Sequence, residues 1–291
     1  MSALFSHLGI AFMRVLAWLP LPLVRALGWA MGRLLYALLG QRRRIVRINL
    51  TLCFPQLPEQ EIRALGPQVF IKFAQAWLDR GWLWHAPRKV VARRLNFTGA
   101  VHELAGNDPV VIFAPHFIGM DAGGTALMLN VPRLFTSIYT NQSNKVVNDW
   151  MLAGRTRFGT SRVFGRIEGV RDIANALKSG QPLYLLPDMD FGPTGALFVP
   201  FFGVSTATVP SLSRFARLGR AKVVPVVTRL TPTGYDVQVM PAWQHFPTAD
   251  ATADTVRMNT ELEAYVRSMP EQYYWVHKRF KTRPAGQPEL Y

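Results

Sequence analysis

"VVIFAPHFIGMDAGG", residues 110–124, decides the fold. A short, apolar, β-branched run stops at Pro115, His116 follows at once, and Asp121 comes five positions later among Gly119, Gly123 and Gly124. A run this short between turn residues reads as a buried strand, and "GMDAGGTALML" behind it reads as a helix. Strand, polar turn and helix in that order are the unit of an α/β layer, in which ligands collect at the carboxyl ends of the strands. His116 stands at such an end. On one continuous helix a five-residue spacing would hold the two side chains about 140° apart. His116 is therefore expected in the turn, with the glycines letting the chain fold back so that Asp121 orients the imidazole as a general base. The plainer alternative makes His116 the end of a strand and Asp121 an ordinary acid in the first turn of a helix.

The pattern repeats outward. Apolar runs "LFTSIYT", "PLYLLP", "AKVVPVV" and "YDVQVM" alternate with helical stretches "NKVVNDWMLAGRTRF", "EGVRDIANALKSG" and "VPSLSRFARLG". The expected fold is α/β, with a largely parallel central sheet flanked by helices. A helix over 58–86, broken early at Pro67, precedes it, and the amphipathic "DTVRMNTELEAYVRSM" follows. With 291 residues, 49% of them hydrophobic, the chain can bury a large core. Its single cysteine, Cys53, excludes an internal disulfide and a cysteine metal cluster.

The net charge of +15 points to a polyanionic partner, and the basic residues are unevenly placed. No acid occurs before Glu59, whereas Arg14, Arg25, Arg33, Arg42, Arg43, Arg44 and Arg47 all do. The first forty residues are apolar but interrupted by Arg14, Pro20, Pro22 and Arg25, too often for a simple span of about 20 apolar residues. They read as two helices lying in or dipping into a membrane interface, with Trp18, Trp29 and Tyr36 as interfacial aromatics and "QRRRIVR" on anionic headgroups. The alternative is a hydrophobic hairpin packed on the globular body. The division expected is a membrane-associating helical segment over 1–45 and a catalytic domain over 46–291. Nucleic acid is not an expected partner, because no zinc-finger or basic-zipper pattern accompanies the charge.

"FAPHFIGMD" resembles the H-x4-D/E motif of the glycerolipid acyltransferase superfamily. "RRRIVRINLTLCFP", "LYLLPDMDFGPTGALFVPFFGVSTAT" and "WVHKRFKTRPAGQPELY" narrow the resemblance to the lipid A biosynthesis lauroyl/myristoyl acyltransferases, over nearly the whole chain. That resemblance implies an enzyme on the cytoplasmic face of the inner membrane. It would move an acyl chain from acyl carrier protein to a hydroxyacyl group of a Kdo-bearing lipid A precursor, with His116 and Asp121 as the catalytic pair. No cofactor is implied. No metal is indicated either, since His7, His85, His102, His245 and His277 show no ligand spacing.

Arg166 falls where the superfamily places a residue that binds acceptor phosphate; a surface ion pair with Glu168 or Asp172 is the other reading. Arg155 is a similar candidate. Asp188 and Asp190 follow another strand and should reach the sheet edge that carries His116, to orient Arg166, to touch acceptor sugar, or to cap the turn between Pro187 and Gly192. Phe201 and Phe202, with Phe198, either line an acyl channel or fill the core. The intact His116 and Asp121 argue against a non-enzymatic reading, a membrane-bound phosphate-binding protein whose fold has lost catalysis, and two rival enzyme functions remain. One is acyl transfer to a different bacterial lipid, a mannolipid or an ornithine lipid. The other is an α/β-hydrolase that uses Ser205 in the degenerate elbow "GVSTA".

Overall fold

The computed structural model describes residues 3–159, 161–165 and 169–291. Four helices come first: α1 (Ala3–Leu16), α2 (Leu21–Leu38), α3 (Gly40–Cys53) and the long α4 (Glu59–His85). The short α5 (Arg88–Arg93) leads into alternating strands and helices: β1 (Leu95–Gly99), β2 (Val110–Phe113), α6 (Met120–Asn130), β3 (Phe135–Tyr139), α7 (Lys145–Arg155), β4 (Ser161–Gly165), α8 (Val170–Lys178) and β5 (Leu183–Leu185). A hairpin of β6 (Leu197–Phe201) and β7 (Val204–Thr208) comes next. It is followed by α9 (Ser211–Gly219), β8 (Lys222–Thr231), β9 (Gly234–Val239) and α10 (Ala251–Ser268).

Seven strands form one sheet in the order β1-β9-β8-β2-β5-β3-β4, and every pairing in it except β8 with β9 is parallel. The expected largely parallel α/β sheet is therefore present. Successive residues of β2 serve opposite faces, as the two-residue period of a strand requires. Val110 and Ile112 pack with Ala122, Ala126 and Leu127 of α6, whereas Val111 and Phe113 belong to the core built by α8, α9 and α10. Both faces are covered, which is why this strand has no polar position.

The N-terminal helices are joined to the body by close packing. A Cβ on Gly32 would lie 2.4 Å from the Cα of Ile71, and one on Gly28 would lie 2.8 Å from the Cα of Gln75, so α2 meets α4 backbone to backbone. Arg25 crosses this interface to the buried Asp79 (2.9 Å) and donates to the carbonyls of Thr231 and Gly234. The expected boundary at residue 45 falls inside α3, whose Val46 and Leu50 are core residues. The two expected parts thus share α4 as a common spine. Outward, α1 and α2 present Leu8, Phe12, Leu27 and Trp29, and Trp18 between them is 88% exposed. Tyr36 departs from the expected interfacial set, because it packs edge-on against Phe70. No single helix among the described residues is long and apolar enough to cross a membrane.

Pro67 does not break α4. Proline costs a helix one hydrogen bond and a clash, and here Ile62, Val69 and Phe70 on either side of it are locked into the core. Tertiary packing outweighs the local cost.

Candidate functional site

The parallel register between β2 and β5 creates the site. Phe113 is paired with Leu185, so the residues three positions beyond each strand, His116 and Asp188, emerge side by side at the sheet's carboxyl edge. Nδ1 of His116 lies 2.8 Å from Oδ1 of Asp188, and the His116 backbone N–H points at both carboxylate oxygens at 3.2 and 3.1 Å. The hydroxyl of Tyr273 donates to Oδ2 at 2.9 Å. Asp188 accepts from the His116 N–H and the Tyr273 hydroxyl, and with its pKa held low it is an ionised carboxylate, which can only accept. Nδ1 of His116 therefore carries the proton and Nε2 keeps its lone pair. Asp188 is fully buried. Burial alone would push its pKa up, but the His116 imidazole and the converging hydrogen bonds outweigh it and hold it below the usual carboxylate range.

The chain around His116 is fixed from the C-terminal side. Phe117 forms an antiparallel bridge with Tyr273, the Ile118 N–H donates to the Gln272 carbonyl, and the Tyr274 N–H donates to the His116 carbonyl. The tail segment that carries Tyr273 thus clamps the turn and also supplies the hydroxyl on Asp188. His277, farther along that tail, has its pKa lowered to about 4, by burial and by the neighbouring His116.

The expected bond between Asp121 and His116 is not formed. Asp121 occupies the first turn of α6 and faces away, toward two guanidiniums. Its Oδ2 accepts from Nε of Arg80 at 2.8 Å and lies 2.7 Å from Nη2 of the same residue, and its Oδ1 accepts from Nε of Arg155 at 2.7 Å. Gly119 and Gly123 serve a different close approach from the one anticipated. A Cβ on either would strike Thr228 of β8, at 2.7 and 2.4 Å, so they seat α6 on the sheet. Burial opposes ionisation of Asp121, yet the two arginines win and its pKa falls to about 2. A carboxyl with a folded pKa below its unfolded value stabilises the fold above the unfolded pKa, near 4, and this contribution is lost as pH falls toward 2. Asp121→Asn is accordingly expected to cost about 2 kcal/mol at neutral pH and progressively less in acid. Denaturant titrations at pH 7 and pH 3 measure this, and an equal cost at both would contradict it.

A cavity of about 690 Å³ opens beside these groups, within the usual range for a ligand site. His116, Arg80, Asp121 and Arg155 form its polar wall, and Leu127, Met128, Ile138, Met151 and Ile173 are among the apolar side chains that line the rest. The Arg80 guanidinium lies over the Trp77 ring at 4.2 Å and that of Arg155 over the Tyr139 ring at 5.2 Å, which fixes both planes. Nη1 of Arg80 and both Nη nitrogens of Arg155 remain free of protein partners among the described residues.

The other candidates fall elsewhere. Asp190 is buried away from the cavity: it accepts from the N–H and hydroxyl of Thr282 and from the Gly192 N–H, so it ties the turn to the C-terminal tail. Phe201 and Phe202 are core residues, with Phe201 tilted against the rings of Tyr273 and Phe280 and Phe202 against that of Phe54; Phe191 lines the cavity instead. Ser205 lies within the β6–β7 hairpin, not on a strand-to-helix turn, so it has no nucleophile elbow. Arg166 lies outside the described residues. No group of three metal-ligating side chains occurs among those described. Arg80 and Tyr273 were not anticipated. The signal for the first was available: "LDRGW" places an acid and a base side by side in the apolar, aromatic stretch that ends the helix.

Comparison with known proteins fits this arrangement. The family model described as bacterial lipid A biosynthesis acyltransferase matches residues 2–282. The chain is 32% identical to the lipid A biosynthesis lauroyltransferase of Escherichia coli (strain K12), covering 98% of this chain and 94% of that one. It is 31% identical to the palmitoleoyltransferase of the same strain (97% and 93% covered) and 33% identical to the myristoyltransferase (98% and 90%). These relatives are named for three different acyl chains at nearly equal identity, so similarity favours none of the three lengths. The chain is an acyltransferase and belongs to the bacterial lipid A biosynthesis acyltransferase family.

Proposed function

We propose that this enzyme transfers a fatty acyl chain from acyl carrier protein to a hydroxyacyl group of a Kdo-bearing lipid A precursor, at the cytoplasmic face of the inner membrane. The observation that carries the reading is the single cavity wall on which an oriented imidazole stands beside two arginines, with a hydrocarbon-lined space behind them. A thioester and a hydroxyl need a base, room for an alkyl chain, and cations for an anionic acceptor.

In the proposed step, Nε2 of His116 removes the proton of the acceptor hydroxyl as its oxygen attacks the thioester carbonyl carbon. The carbon–sulfur bond breaks, a thiolate leaves, and the imidazolium returns the proton to it. Asp188 fixes the tautomer and balances the imidazolium charge. Arg155, held by Asp121 through Nε, offers both outer nitrogens to an acceptor phosphate, a planar two-point contact suited to guanidinium, and Arg80 adds its Nη1. The exposed apolar side chains of α1 and α2 would enter the headgroup boundary.

Mass spectrometry tests this. Purified full-length protein given acyl carrier protein thioester and the precursor in anionic vesicles is expected to add one acyl chain per acceptor and to co-float with the vesicles. A product formed equally well from mannolipid or ornithine lipid, or no product, would overturn the acceptor assignment. Recovery of the protein apart from the vesicles would remove its membrane part.

A further inference from the structure

Most arginines and lysines of this chain already have partners inside the fold. Arg25, Arg80 and Arg155 pair with buried carboxylates, and Arg133 and Arg279 donate to buried carbonyls and hydroxyls. Cations without an intramolecular partner are the ones available to another molecule. Among the described residues, four of these lie together on the adjoining helices α8 and α9: Arg171, Lys178, Arg214 and Arg220, the last at the C-terminal cap of α9.

The helical period aligns them. Arg171, Asn175 and Lys178 are spaced by four and three residues and all are exposed, while Ile173, Ala174, Ala176 and Leu177 are buried. On α9 the exposed stripe is Arg214, Arg217 and Leu218, over a buried Leu212, Phe215 and Ala216. The two helices are in close contact, since a Cβ on Gly219 would strike Leu177 at 2.8 Å. Their outer faces therefore form one surface with an exposed leucine among cations. Helix α9 carries no acid, and Asp172 is the one acid on α8. The surface also borders the cavity, which Val170 and Ile173 of α8 and Ser211, Arg214 and Phe215 of α9 help to line.

Its position argues against lipid as the occupant. Helices α8 and α9 cover the sheet face that carries Val111 and Phe113. The exposed apolar helix α2 reaches the core on the other face through Leu21 and touches the α8–α9 core through Leu35 and Tyr36 near its C-terminal end, and α1 packs against α4 and α7. A basic surface carried by other helices than the apolar α1 and α2, and bordering the cavity, fits a soluble acidic protein that delivers a thioester.

We propose that the outer faces of α8 and α9 are the docking surface for the acidic acyl carrier protein, an inference that rests on the proposed donor. Charge on such a rim governs encounter and salt dependence more than chemistry. The test is steady-state kinetics of the full-length Arg171→Glu/Lys178→Glu/Arg220→Glu variant, none of whose altered residues lines the cavity. The donors are acyl carrier protein thioester and acyl-pantetheine, which has the same reacting bond but no protein. The variant is expected to raise KM for the carrier about tenfold at low salt and to flatten its dependence on ionic strength. Acceptor KM and turnover on acyl-pantetheine should stay at wild-type values. The control reversal Lys89→Glu/Arg93→Glu on α5, two charges in place of three, should leave carrier KM unchanged. Unchanged carrier KM in the triple variant, an equal rise from the α5 reversal, or a rise in acceptor KM instead would overturn the docking surface. A wild-type enzyme that ignores the carrier altogether would overturn the donor assignment itself.

Discussion

Asp188→Asn is expected to lower acyl-transfer turnover by roughly 10²- to 10⁴-fold, with little change in either substrate's KM. The amide is nearly the same size, and it can still accept from the Tyr273 hydroxyl and the His116 N–H. It can also turn its NH2 toward Nδ1 of His116. An amide donor there favours the tautomer with the proton on Nε2, which leaves no lone pair facing the cavity. The imidazolium formed during attack also loses its counter-charge. His116→Ala should cost at least as much. Near-normal turnover in a folded Asp188→Asn enzyme would show that the pair seen at 2.8 Å is only structural.

The second large effect falls on stability. Arg25→Met is expected to destabilise the protein by about 3–5 kcal/mol, because it strands the carboxylate of Asp79 in the core. Asp79 then keeps only the Trp82 N–H at 2.9 Å and the Tyr235 hydroxyl at 2.6 Å. Burial already raises the pKa of Asp79 despite Arg25, and removing the guanidinium raises it further. A carboxyl with a raised folded pKa contributes stability at low pH that is lost as pH rises through that value. The cost of Arg25→Met should therefore be small in acid and grow with pH, and Asp79→Asn in the same chain should recover part of it. Denaturant unfolding from pH 5 to pH 8 measures both. A cost below about 1 kcal/mol, flat with pH, would mean that α2 is held by the packing of Gly28 and Gly32 alone.

These two expectations sit at different distances from the sequence. The strands at 110–113 and 183–185 and the first half of 222–231 were legible because burial on both faces leaves continuous apolar runs, and 234–239 because Tyr235, Val237 and Val239 alternate with Asp236 and Gln238; 135–139 showed through Phe135, Ile138 and Tyr139. β1 and β4 were not, because they are the sheet's edges and their exposed positions carry Asn96, Thr98 and Arg162. The site shows the same contrast. His116 was readable from its place after a strand, whereas its partner was sought five residues away and lies 72 residues away. Local spacing suggested Asp121, but the parallel register decided the pairing, and register is a property of two strands read together. Arg25 read as a cation in a membrane segment. Its role as an internal ion-pair partner depends on Asp79 and on the loop joining β8 to β9, neither of which is near it in the chain.

The most direct measurement of the central claim compares Asp188→Asn, Asp121→Asn and His116→Ala by steady-state kinetics with the lipid acceptor varied at saturating donor. If Asp188 orients the base and Asp121 holds the arginines, Asp188→Asn loses turnover, and adding it to His116→Ala costs little more. Asp121→Asn should chiefly raise the acceptor KM and keep turnover at saturation within about tenfold of wild type. A large loss of turnover in Asp121→Asn at saturating acceptor, with Asp188→Asn near wild type, would contradict the account.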